Sequence, residues 1–113
     1  MPPKLLTLDE FHYHQCLRQT PGKSLVLFGS PGCGACRVAE QRLPEAAAED
    51  IRLFRVDVQT SPGLARALDV FHLPALVLYM DGHYHARLGC ELTRDGLVAA
   101  VSGALAGPAE EEP

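Results

Sequence analysis

The stretch that decides the fold is Leu25-Val26-Leu27-Phe28-Gly29-Ser30-Pro31-Gly32-Cys33-Gly34-Ala35-Cys36-Arg37-Val38-Ala39-Glu40-Gln41-Arg42-Leu43. Its apolar start reads as a strand covered on both faces, and the residues from Arg37 onward are helix formers. Two cysteines therefore stand where a strand hands over to a helix. If the helix begins at the first of them, the unpaired N–H groups of its first turn and the positive end of its dipole favour thiolate over thiol. Cys33 is then a nucleophile near neutral pH. Cys36 follows three residues later on the same helical face, close enough for a disulfide with Cα atoms roughly 5 to 6 Å apart. One thiol attacks and the other resolves.

Working outward, Thr7 to Glu10 has capping-box spacing, and Leu8, Phe11, Tyr13, Cys16 and Leu17 give an apolar face to a first helix running to Gln19. Thr20-Pro21-Gly22-Lys23 is a turn, and Ser24 to Phe28 a central strand. The cysteine helix is expected from about Cys33 to Asp50, bent or restarted at Pro44 and continued by Ala46-Ala47-Ala48. Ile51 to Val58 reads as a strand, and Ser61-Pro62 as an N-cap and first helical residue of a short helix to Leu68. Ala75 to Met80 and His83 to Leu88, joined by Asp81-Gly82, predict an antiparallel hairpin. Thr93 caps a last helix with Leu97, Val98, Val101 and Leu105 on one face, ended by Gly107-Pro108. Residues 1–107 form one domain on this reading, and 108–113 a disordered acidic tail.

Parallel strands covered by helices, followed by a hairpin and a closing helix, predict an α/β fold, a three-layer α/β/α sandwich with a mixed central sheet. The cysteines fall at a strand's carboxyl end, where such sheets carry their sites. A chain of 113 residues needs no disulfide framework to fold, so the four cysteines are free for chemistry. A net charge of −4 argues against nucleic acid or an anionic membrane as partner. Met1 to Glu10 lacks the apolar core of a signal peptide, which leads to an expected cytoplasmic location, and no stretch approaches the ~20 apolar residues of a membrane span.

The ordered set Leu25-Val26-Leu27-Phe28 before Cys-Gly-Ala-Cys, Arg55-Val56-Asp57, Ser61-Pro62-Gly63, Leu73-Pro74, Asp81-Gly82 and Leu88-Gly89 resembles the thioredoxin family, over almost the whole chain. The resemblance implies the thioredoxin fold, a cis bond before Pro74, and a substrate chain pairing with the backbone at Leu73 like an added strand. It also implies a substrate rim of Gly32, Gly34, Ala35, Leu73, Pro74, Gly89 and Cys90. Departures are equally informative. Gly32 stands where housekeeping thioredoxins have tryptophan and Ala35 where they have proline, and this chain has no tryptophan. The family's buried aspartate falls at Leu27, and its lysine partner is expected at Leu53. Losing both charges together can leave stability unharmed, while resolution by Cys36 is the step expected to slow.

Each signal also has a plainer reading. The cysteine pair could be two small buried residues, or half of a zinc site completed by Cys16, Cys90, His83 or His85, although no second close pair has the usual spacing. Cys90 could form mixed disulfides at the rim or simply fill space, and Cys16 belongs to the core. His72 could stabilise a thiolate or stand in solvent, and His12, His14, His83 and His85 are expected at the surface. Glu40, one turn beyond Cys36, is a solvated helix residue or a substitute base. Gly29 to Gly32 is not a phosphate loop, lacking the lysine and the spacing.

The function expected is thiol-disulfide exchange with protein substrates through Cys33 and Cys36, in a monomer supplied with electrons by a reductase protein. No bound cofactor or metal is called for. A thioredoxin fold kept for docking a partner, or a metal module, are the alternatives.

Overall fold

A computed structural model describes residues 4–113. The chain runs β1 (Leu5–Thr7), α1 (Tyr13–Arg18), β2 (Lys23–Gly29), α2 (Gly34–Ala46), β3 (Arg52–Asp57), α3 (Pro62–Ala67), β4 (Ala75–Met80), β5 (His83–Leu88) and α4 (Arg94–Ala106). The sheet order is β1-β3-β2-β4-β5. β1, β3 and β2 are parallel, while β4 is antiparallel to β2 and to β5. The central strand is thus β2, as its unbroken apolar run requires, because only a strand covered on both faces can bury every side chain.

The two-residue period of β2 sorts its side chains into two cores. Val26 and Phe28 point to one face, where they meet Tyr13 and Leu17 of α1 and Leu64 of α3. Leu25 and Leu27 point to the other, against Ala39 and Leu43 of α2 and Leu97 and Val101 of α4. Helices on both faces of one mixed sheet make the expected three layers.

Several local expectations are corrected. Residues 5–7 form a strand beside β3, paired Leu5 with Leu53 and Thr7 with Arg55, so no helix begins at Thr7. Instead the Asp9 carboxylate accepts the amides of Phe11 and His12 (3.0 and 2.9 Å), and α1 is only six residues long. The cysteine helix passes through Pro44 and stops at Ala46, with Ala47 already extended, so Ala47 and Ala48 do not continue it. The Ser61 hydroxyl does not cap α3. It accepts the Glu10 amide (3.2 Å) and pins the α1 approach to the sheet. Val98 faces solvent, while Thr93 caps α4 through the Gly96 amide at 3.0 Å. A bulge opposite Leu78 and Tyr79 interrupts the alternation of β5, and His85 is half-buried with its Nε2 2.7 Å from the Ala104 carbonyl.

For the segment after Gly107, expected as a disordered tail, the structure places Glu110 against β5. Its amide donates to the His85 carbonyl (2.6 Å) and its carboxylate accepts the Arg87 amide (3.0 Å). Residues 1–3, part of the decapeptide read for a leader, lie outside the described residues. Among the described residues, no helix is long and apolar enough to cross a membrane.

The layering predicts unequal substitution costs. Leu43→Ala, at a fully buried site, lowers the unfolding free energy by about 2–5 kcal/mol. Val98→Ala changes it by no more than about 0.5 kcal/mol. Urea unfolding followed by circular dichroism reads both, and equal losses at the two positions would contradict the placement of α2 and α4.

The buried phenols predict a pH limit. Tyr13 donates to the Tyr79 hydroxyl (2.7 Å), and burial pushes both phenols well above the ordinary tyrosine range. The unfolded chain releases these protons from about pH 10 while the folded one keeps them, so their contribution is complete below about pH 10 and is lost as pH rises above it. Tyrosinate absorbance at 295 nm from these two residues should therefore appear only together with loss of the circular dichroism signal. Their free titration near pH 10 in a folded protein would be the contrary result.

Candidate active site

The site grows from the junction of β2 and α2. β2 delivers Gly29 to the carboxyl edge of the sheet, and the turn through Pro31 and Gly32 brings the chain to Cys33, whose backbone is extended (φ −97°, ψ 108°). Cys33 is the N-cap of α2, and its Sγ accepts the Cys36 amide at 3.1 Å. Sulfur here does what a serine or aspartate oxygen does at most helix starts, satisfying a first-turn donor. Cys33 and Cys36 are joined by a disulfide with Cα atoms 5.2 Å apart. They differ in access, since Cys33 is half-buried and Cys36 is only 1% exposed. Only the first sulfur can meet a large partner without unfolding.

Cys36 is buried because nothing stands between it and the strand end. A Cβ built on Gly29 would lie 3.0 Å from Cys36 Cβ and 3.2 Å from its Sγ, so a residue without a side chain lets the helix settle there. Across β2, Phe28 pairs with Ala75 of β4, so Pro74 comes next to Gly29 at the same edge. The Leu73-Pro74 peptide bond is cis, as the resemblance implied. Leu73 is half-buried against the Tyr13 side of the core, while His72, Pro74, Gly32, Gly34, Ala35 and Gly89 are exposed. Cys90 packs against the α2 and α4 core, and burial pushes its thiol up, favouring the protonated form. Cys16 packs on the opposite core. Among the described residues, no three His, Cys, Asp or Glu side chains converge as a metal site would require.

One expectation about charge is corrected. The parallel register sets Leu27 opposite Arg55 and Leu25 opposite Leu53, so the residue facing the missing aspartate's position is a cation, not Leu53. Arg55 donates to Thr7 Oγ1 (2.8 Å) and to Glu40 Oε2 on α2 (3.2 Å). A cavity of about 530 Å³ opens here, lined by Gly29, Ser30, Arg37, Glu40, Arg55 and Asp57 among others. Sequence reading missed Arg55 and Asp57. The available signal was Arg55 breaking the apolar run Leu53-Phe54-Arg55-Val56 in the middle of β3.

A half-exposed sulfur capping a helix, bonded to a buried one a turn later at the carboxyl edge of this mixed sheet, defines a thioredoxin-fold dithiol domain. A family model described as Thioredoxin matches residues 4–103, and the chain belongs to the thioredoxin family. It is 38% identical over 61 residues to a thioredoxin of Mycobacterium tuberculosis, an alignment spanning 51% of this chain and 53% of that protein. It is 30% identical over 83 residues to a thioredoxin of Chlamydia trachomatis, spanning 72% and 81%. Among solved structures, zinc-bound human ERp44 superposes with a TM-score of 0.76 at 17% identity, covering 88% of this chain and 32% of that one. A chain from a structure on thiol resolving in yeast mitochondrial 1-Cys peroxiredoxin gives 0.72 at 22%, covering 91% and 95%. At these identities the structural likenesses speak for the fold alone.

The contact at Gly29 predicts a sharp contrast between two glycines. Gly29→Ala forces the first turn of α2 outward and costs about 1–3 kcal/mol of stability. Gly34→Ala, with open space around it, is neutral or gains up to about 1 kcal/mol. Guanidinium unfolding of the oxidised proteins measures both, and a tolerated Gly29→Ala would refute the close packing of Cys36 on β2.

Proposed function

We propose that the chain is a thiol-disulfide oxidoreductase that exchanges dithiol for disulfide with protein substrates in the cytoplasm, contributing to cell redox homeostasis. The observation that carries this reading is the half-exposed Cys33 sulfur receiving the Cys36 amide at the start of α2. In the reduced protein the same donor and the helix dipole stabilise Cys33 as a thiolate. That thiolate attacks one sulfur of a substrate disulfide, the other substrate sulfur leaves, and a mixed disulfide forms. Cys36 then attacks Cys33 and releases the reduced substrate. Because Cys36 is buried, the sulfur within its reach is that of Cys33, which keeps the two steps in order.

The substrate segment lies across the edge made by Gly32, Gly34 and Ala35 on one side and Leu73 and Pro74 on the other, with Gly89 and Cys90 at the far rim. Support comes from the exposure of five of these residues and from the adjacency of Pro74 to Gly29. A reductase protein restores the dithiol, no bound cofactor takes part, and the working unit is the monomeric domain of residues 1–107.

Reduction of insulin disulfides in the presence of dithiothreitol tests the proposal. Turnover well above the dithiothreitol background is expected, falling to that background in Cys33→Ser. Cys36→Ser should accumulate a mixed disulfide visible by mass spectrometry. A wild-type protein with no turnover would mean a fold kept for docking rather than for redox work.

A further inference from the structure

Resolution poses a problem that the disulfide itself does not solve. Cys36 must shed a proton to attack Cys33, yet it is buried beneath α2 and packs on Gly29, which offers no side chain to take one. Leu27, next along that face of β2, is apolar as well. The cavity beside Gly29 supplies what the strand does not. Gly29, against which Cys36 packs, lines it, although Cys36 itself is not part of its wall, and its volume of about 530 Å³ has ample room for water.

Two carboxylates line the same cavity. Asp57 stands opposite Gly29 in the β2 and β3 register, and its Oδ1 is engaged by the Gln59 amide at 2.8 Å. Glu40 stands one turn beyond Cys36 on the same face of α2, and its Oε2 is held by Arg55, which is in turn held by Thr7. Thr7, Arg55 and Leu27 form one row across β1, β3 and β2, so the sheet fixes where the guanidinium can hold Glu40. The charged and titratable groups around Glu40 are Cys36 and Arg37 on its own helix, and Arg55 and Asp57 from β3. The nearest part of β1 contributes only Thr7 and Leu5.

Building on the oxidoreductase reading, we propose that Glu40, positioned by Arg55, accepts the Cys36 proton through water in this cavity during resolution. The Cys36 S–H bond breaks, and its proton passes by water to the Glu40 carboxylate. The sulfur's electron pair then forms the bond to Cys33 Sγ, and the bond between Cys33 and the substrate sulfur breaks with its pair. The substrate leaves as a thiolate and is protonated by Glu40 or by solvent, which returns the carboxylate. Two electrons pass from the protein dithiol to the substrate, with no further reductant.

A stopped-flow experiment with substoichiometric 5,5′-dithiobis(2-nitrobenzoate) separates the steps. Attack by Cys33 releases the first thionitrobenzoate and resolution by Cys36 the second, both seen at 412 nm. Glu40→Gln should leave the first phase unchanged and slow the second by at least about tenfold between pH 6 and 8, the low end for losing a proton acceptor. The gap should narrow as pH rises, because hydroxide increasingly takes the proton in place of the carboxylate. Glu40→Asp should restore part of the rate, and Arg55→Met should slow the second phase while sparing the first. An unchanged second phase in Glu40→Gln, an equal slowing of both phases, or a slowing seen in Asp57→Asn instead would overturn the assignment. A wild-type protein showing no first phase would overturn the oxidoreductase reading itself, so the two failures are distinguishable.

Discussion

The structure depends on one contact, the Cys36 amide aimed at the Cys33 sulfur at the start of α2. It caps the helix beside the disulfide that joins the two sulfurs. It also points a fixed dipole at the atom on which the chemistry falls. A hydrogen bond to a charged acceptor is roughly twice as strong as one between neutral groups, so the same contact favours thiolate over thiol. Everything else serves to hold α2 over the end of β2. Leu25 and Leu27 of the strand meet Ala39 and Leu43 of the helix, and Gly29 removes the last obstacle to Cys36.

The site's chemistry is divided between the two ends of this first helical segment. At the rim, Cys33 is half-buried among the exposed small residues Gly32, Gly34 and Ala35. One turn inside, Cys36 is shut away from solvent and depends on its surroundings for proton traffic. Leu27 and Leu53 make the sheet beneath α2 apolar and well packed, so the charges that remain are displaced sideways into the pair Arg55 and Glu40. Cys90, although near the chain's second rim segment, packs toward the core, and burial pushes its thiol up.

How much was legible in the sequence follows from the range of each interaction. The unbroken apolar run of β2, the Asp81-Gly82 hairpin and the Thr93 cap are local signals, and the structure keeps them. The Cys33 boundary was legible for the same reason. β1 was not, because Leu5–Thr7 is three residues long and becomes a strand only by pairing with β3, some 48 residues away. Ser61 carried a cap signal, but a tertiary partner, the Glu10 amide, claimed its hydroxyl. The Arg55 and Glu40 pair escaped because it depends on the register of two parallel strands and on the seating of a helix above them, neither of which is written in any short segment.

If α2 lowers the proton affinity of Cys33, the pH dependence of Cys33 alkylation in the reduced protein, with Cys36 intact, will record it. Iodoacetamide incorporation, read by peptide mass spectrometry, should follow an apparent pKa near 7 or below. A value at the ~8.5 of a free cysteine would mean that α2 leaves the Cys33 thiol unactivated.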